Sequence, residues 1–305
     1  MNLILAAADH SPLSHAVPHP LHEEPLFSVP VGEGDIPALN IYDGVYSFYI
    51  TNHLVMTLVS AIAVVLTFAF VATRVRPSGT GTDAFKTRGR VAQLFETMCT
   101  FIRDEVVRPN LHELTDKYIY YIWTVFFFVL FANVLGLIPF GYFLEPITGN
   151  THWGGSATGN LSLNVMLAGC SFIAILYIGI RETGLKTFLA HFNPLGWDDP
   201  KMLVIGLPLY VLEWMGLLIK CTVLAMRLFG TMMSGHLVIA AFIGLVFMAA
   251  ESSHALGYGV QISVIIGGIM LTLLELFICF LQAFIFTFLT VLFISMVATH
   301  HGHEH

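Results

Sequence analysis

Six polar side chains stand inside otherwise apolar runs in the second half of this 305-residue chain: Glu213, Lys220, Arg227, His236, Glu275 and Gln282. A charge at bilayer depth costs ~2.5–3.5 kcal/mol on insertion scales, so such a group faces protein or a water-filled cavity. Imidazole titrates close to neutral pH and suits proton relay. A guanidinium holds its charge where a lysine can lose it on burial, and so suits a fixed electrostatic barrier. The set therefore places a fixed charge and titratable groups in a low-dielectric medium.

Their spacing refines this. Glu213, Lys220 and Arg227 are seven apart and share one helix face, as do Glu275 and Gln282. His236 follows Arg227 by nine, half a turn away on a straight helix. With the two segments antiparallel, His236 lies ~13 Å outward of Arg227 and Glu275 ~10 Å outward of Gln282. One register then pairs Arg227 with Gln282 near mid-depth and His236 with Glu275 above them. Plainer roles stay open beside this one. Glu213 and Lys220 can form an ion-pair strut or snorkel to the inner surface, and a core histidine can bond a backbone carbonyl. Arg227 has no acid at i±3 or i±4 and needs a counter-charge from elsewhere, such as another subunit.

The elements that must position these residues follow from composition. The chain is 56% hydrophobic and 11% charged, with mean hydropathy +0.78. An ordinary soluble domain is about 25% charged. That excludes a cytosolic enzyme and makes the bilayer the natural solvent. The net charge of -7 argues against nucleic acid. The four cysteines (Cys99, Cys170, Cys221, Cys279) form neither a disulfide framework nor a zinc site.

Thirteen Lys and Arg set the topology. Eight lie between Arg74 and Lys117, three are Arg181, Lys186 and Lys201, and the last two are Lys220 and Arg227. Residues 1–45, 142–160 and 251–259 contain none. Apolar runs occupy roughly 47–73, 118–141, 162–180, 202–250 and 260–299. The positive-inside rule then gives five crossings, with the N-terminus outside and the C-terminus inside.

The last two runs exceed one crossing. Straight helices of those lengths would reach ~73 and ~60 Å, against a hydrocarbon core of ~30 Å. No residue marks a convincing turn, and the best break, Gly230 to Gly235, would put Arg227 near an outer turn. Two strongly tilted helices are expected instead. Residues 91–108 carry Val91, Leu94, Phe95, Met98, Phe101 and Ile102 at helical spacing, which predicts an interfacial helix on the inner surface. The fold class expected is an all-α polytopic membrane protein of about five transmembrane helices. Residues 1–45 are expected to form a flexible outer extension and 46–305 the membrane domain.

The motifs carry a resemblance. Leu224-Ala-Met-Arg-Leu-Phe-Gly-Thr-Met-Met-Ser-Gly-His236 and Leu281-Gln-Ala-Phe-Ile-Phe-Thr-Phe-Leu-Thr-Val resemble the two signatures of subunit a of F-type ATP synthases. Asn133-Val-Leu-Gly-Leu-Ile-Pro139 and Phe192-Asn-Pro fit the same family. The resemblance is strongest over 115–300. It implies that Arg227 is the essential stator arginine, and that His236 and Glu275 are a swapped form of the family's Glu and His. It also implies that Gln282 is the arginine's polar partner and that Glu213 and Lys220 are inner polar positions. Thr231 departs from the Asn of many bacterial members, which leaves its place in the channel lining in doubt.

The resemblance further implies two proton half-channels separated by Arg227, working against a ring of c subunits, with peripheral-stalk b subunits and the rest of the ATP synthase complex as partners. A bacterial plasma membrane is the expected location. No Gly-x-x-x-x-Gly-Lys-Ser/Thr loop is present, so the chain is expected to move ions rather than make or cleave ATP, without cofactor or metal. Two other classes compete. A secondary antiporter working alone would be expected to show an inverted repeat, and none is visible. A membrane metalloenzyme would need ligand spacing, which His152, His191, His236 and His254 lack. The outer His10, His15, His19 and His22 and the tail His300, His301, His303 and His305 read as solvated termini.

Overall fold

A computed structural model describes residues 27–30, 45–48, 51–74, 89–138, 157–185, 188, 200–252 and 254–298. The remainder of the N-terminal extension, the Phe192-Asn-Pro motif and the His-rich tail lie outside the described residues.

Apolar sequence of sufficient length becomes helix because lipid offers the backbone no hydrogen-bond partners. Among the described residues, five helical stretches are long and apolar enough to cross a membrane. Helix α1 is Asn52–Arg74. Helix α2, Arg90–Phe101, continues through a π-helical turn at Ile102–Val107 into α3, Arg108–Leu111. A 3-10 turn at His112–Leu114 leads into α4, Thr115–Leu137. Helix α5 is Leu161–Thr183 and follows a 3-10 turn at Ala157–Gly159. Helices α6, Pro200–Ser252, and α7, His254–Ala298, are each continuous. Two short strands, β1 (Phe27–Pro30) and β2 (Val45–Phe48), pair antiparallel with Phe27 opposite Phe48.

The three 23-residue helices α1, α4 and α5 each span ~35 Å, enough for one crossing. Helices α6 and α7 have 53 and 45 residues, or ~80 and ~68 Å. Neither folds into a hairpin. Helix runs unbroken through Gly230 and Gly235, and Pro208 sits inside α6 without ending it.

The expected amphipathic helix is present as α2. Val91, Leu94 and Phe101 are exposed, whereas Phe95 packs against Phe68, Phe127 and Phe131. Trp123 Nε1 donates to the Cys99 carbonyl at 3.1 Å and ties α4 to α2. The π turn precedes Pro109, which has no N–H to donate. There Arg108 N–H bonds Arg103 O, one residue wider than the α-helical pattern.

The chain separates into two compact units. The first comprises Met1–Ser60, Ala132–Asn160 and Met232–Thr272; the second comprises Ala61–Phe131, Leu161–Thr231 and Leu273–His305. In the second, Phe126, Phe127, Ile122, Ile175, Leu217, Leu228, Phe286 and Ile294 form the centre of a large buried cluster. Gly179 of α5 makes the closest approach there. A Cβ on it would fall 2.3 Å from Val297 Cγ1 and 2.6 Å from Phe188 Cε2. In the first unit a small cluster joins Met56, Ala132 and Ala157.

Candidate functional site

The second unit holds five of the six candidate residues. On α6, Leu217, Cys221, Leu224 and Leu228 form a buried stripe at helical spacing. Glu213, Lys220 and Arg227 occupy the neighbouring face, and all three are exposed. Apolar packing thus fixes the rotation of the helix and directs the charged face out of the core.

Arg227 makes no ion pair or side-chain hydrogen bond among the described residues. Its backbone is held locally: the Thr231 hydroxyl donates to Arg227 O at 2.9 Å and to Leu228 O at 3.0 Å. The Thr231 hydroxyl is therefore turned toward its own helix. Glu213 likewise has no ion pair among the described residues.

On α7 the polar candidates point the other way. Glu275 is 7% and Gln282 4% exposed, in one stripe with Cys279, Phe286 and Phe293. Both Glu275 oxygens and Gln282 Nε2 are buried without a hydrogen-bond partner among the described residues. An unmade bond at a buried polar atom costs roughly 1–3 kcal/mol, which favours a water or a partner group at these atoms. Deeper in the same helix, Thr290 donates to Phe286 O at 2.9 Å, whereas Thr287 Oγ1 is buried without a partner among the described residues.

The Lys220 ammonium lies over the Phe293 ring, 5.6 Å from its centroid, and sets the register of α6 on α7. Counting seven residues from that contact, toward the C-terminus of α6 and the N-terminus of α7, puts Arg227 level with Phe286. Gln282 lies one turn, ~6 Å, beyond. The two residues are therefore close in depth, but no hydrogen bond joins them among the described residues. His236 falls in the first unit, on the C-terminal half of α6, and its side chain lies outside the described residues, so its pairing with Glu275 does too.

Sequence reading overlooked several partners. The Lys220–Phe293 contact had no signal, because a phenylalanine in an apolar run is unremarkable until its neighbour is known. His53 did carry one, being an imidazole inside the first apolar run. It is buried beside the equally buried Asn52.

These features define a class: a multi-pass helical membrane protein whose last two helices each exceed the bilayer thickness and carry ionisable groups within it. The pattern of the ATP synthase A chain family matches residues 54–295. The chain belongs to that family. It is 33% identical over 287 residues to ATP synthase subunit a of Pelodictyon phaeoclathratiforme, covering 94% of this chain and 76% of the relative. It is 34% identical over 278 residues to ATP synthase subunit a of Myxococcus xanthus, covering 89% and 81%. A third relative, ATP synthase subunit a 2 of Prosthecochloris aestuarii, is 31% identical over 300 residues, covering 98% and 84%.

Proposed function

We propose that this chain is the stator ion-channel subunit of an F-type ATP synthase, coupling transmembrane proton flow to rotation of a ring of c subunits. The observation that carries this reading is Arg227. It is a permanent charge on an exposed face of a membrane-length helix, with no counter-charge among the described residues. A carboxylate on a second membrane body, presented as that body turns, would complete it.

The physics then runs in one direction. A rotor carboxyl facing lipid stays protonated, because desolvation disfavours its charged form. Opposite Arg227 it ionises. A proton from outside passes His236 and Glu275 to one rotor carboxyl, travels nearly a full turn, and leaves inward past Glu213. Arg227 separates the two half-channels and blocks a direct leak, since a guanidinium keeps its charge. In this reading Gln282 is the polar partner of the guanidinium. Lys220, seated over Phe293, anchors the inner part of the face. The long helices α6 and α7 lie tilted against the ring, with peripheral-stalk b subunits holding the chain still. The chain spans a bacterial plasma membrane, N-terminus outside and C-terminus inside, and itself makes no ATP.

The test is purification of the intact complex. Co-purification of an oligomeric c ring, with ATP-driven proton pumping lost in Arg227→Ala, is the expected result. Proton exchange by the isolated chain in liposomes, without partners, would favour an antiporter instead.

A further inference from the structure

Among the described residues, the proposed pathway leaves a buried imidazole unused. His53, in the first turn of α1, is 1% exposed, and Asn52 beside it is buried as well. One turn on, Met56 packs against Ala132 of α4 and Ala157 of the short turn before α5. The residues after those two alanines are Asn133 and Thr158. Both are buried, and the Thr158 hydroxyl donates to Asn133 Oδ1 at 2.8 Å. Ser60, fully buried, continues the same face of α1 and donates to Met56 O at 2.8 Å. All of these residues belong to the first unit.

This clustering runs against the simplest membrane core. A buried amide, hydroxyl or imidazole costs free energy unless it is hydrogen-bonded, and aliphatic residues would fill the same space at less expense. The outward face of α1 in this unit is aliphatic, with Leu54 and Leu58 exposed. The helix thus turns leucines to the surroundings and an imidazole, an amide and a hydroxyl to its neighbours. The described side chains of this unit, on α1, α4, the 157–160 turn, α6 and α7, include no Asp, Glu, Lys or Arg. The backbone around it is fixed. Its own N–H donates to Asn52 Oδ1 at 2.9 Å, and the Thr57 hydroxyl donates to its carbonyl at 2.7 Å.

We propose that this cluster is a hydrated pocket on the outer side of the proton pathway, and that His53 relays protons through it. The inference rests on the stator reading. One ring nitrogen of the neutral imidazole accepts a proton from water on the outer side. The other ring nitrogen then releases a proton to water held by Asn52, Asn133 and Thr158. The ring ends neutral in its other tautomer and resets by a flip, so only N–H and O–H bonds form and break. Imidazole is the side chain whose unperturbed titration lies between pH 5 and 8, which fits it to this exchange.

The experiment uses the whole complex in membrane vesicles and follows proton-driven ATP synthesis while the pH on the outer side is varied. His53→Gln keeps hydrogen-bonding capacity but cannot titrate; His53→Asn is the second variant. The expected result is normal recovery of the c ring with each variant. ATP synthesis should be slowed roughly tenfold, below the 10²–10⁴ of an obligatory acid–base group because water offers a parallel route. The dependence of rate on outer pH should also be displaced. An unchanged pH dependence at normal assembly overturns the relay role. Failure of both variants to assemble assigns His53 to folding and overturns it equally. Arg227→Ala in parallel separates the two readings. If that variant synthesises ATP normally, the stator reading falls and takes this role with it. If it is inactive while His53→Gln keeps the wild-type profile, only the His53 assignment falls.

Discussion

Arg227 and Leu228 are neighbours on α6 and face opposite surroundings. Leu228 is 0% exposed inside the large cluster, while Arg227 stands on the exposed face. The hydrophobic stripe that seats Leu217, Leu224 and Leu228 is thus what presents the guanidinium. Arg227→Ala should leave that stripe intact, preserve assembly, and abolish ATP-driven proton pumping, read with a pH-sensitive dye in membrane vesicles. Full pumping by the variant would sink the stator assignment.

Glu275 and His236 are proposed to share one outward relay. Changing each alone to a non-titrating residue should slow proton flux by roughly 10²-fold. The double variant should lose much less than the product of the two. Proton flux measured across a double-mutant cycle checks this, and strict additivity counts against a common path.

Gly179 has no room for a side chain, because a Cβ would fall 2.3 Å from Val297 Cγ1. Gly179→Ala should destabilise the second unit by about 1–3 kcal/mol through overpacking. Val297→Ala introduced with it should recover part of the loss. Thermal stability of the purified complex in detergent reads both effects. Equal stability of wild type and Gly179→Ala would show that α5 does not approach α7 so closely.

Thr231 bonds back to its own helix at Arg227 O and Leu228 O. Thr231→Val removes this one shared hydroxyl donation, worth about 1 kcal/mol. The variant should therefore pump at near wild-type rate with slightly reduced stability. A large loss of pumping would instead make the Thr231 hydroxyl part of the proton path, which the pumping assay decides directly.

Helix α6 runs through Gly230 and Gly235 without a turn. Single cysteines from 228 to 238 should therefore react with a water-soluble thiol reagent in a helical period, or not at all. A block of reactive positions between 230 and 235, reached from the outer side, would replace the single helix with a hairpin.

The sequence alone determined the membrane class, the number of long apolar helices and the two signature segments. These rest on local properties. Apolar length dictates helix in lipid, and the last two runs, too long for one upright crossing yet lacking a convincing turn, argue for tilted helices over hairpins. Seven-residue spacing likewise placed Glu213, Lys220 and Arg227 on one face. Only tertiary structure decided which face that was. The stripe Leu217, Cys221, Leu224, Leu228 is buried because α4, α5 and α7 supply its partners, and a nearly uniform apolar sequence does not say which leucines will meet protein. For the same reason the Lys220–Phe293 contact and the closeness of Gly179 to Val297 were invisible in one dimension. Each joins residues more than 70 positions apart, and their meeting depends on how helices pack rather than on the period of any one of them.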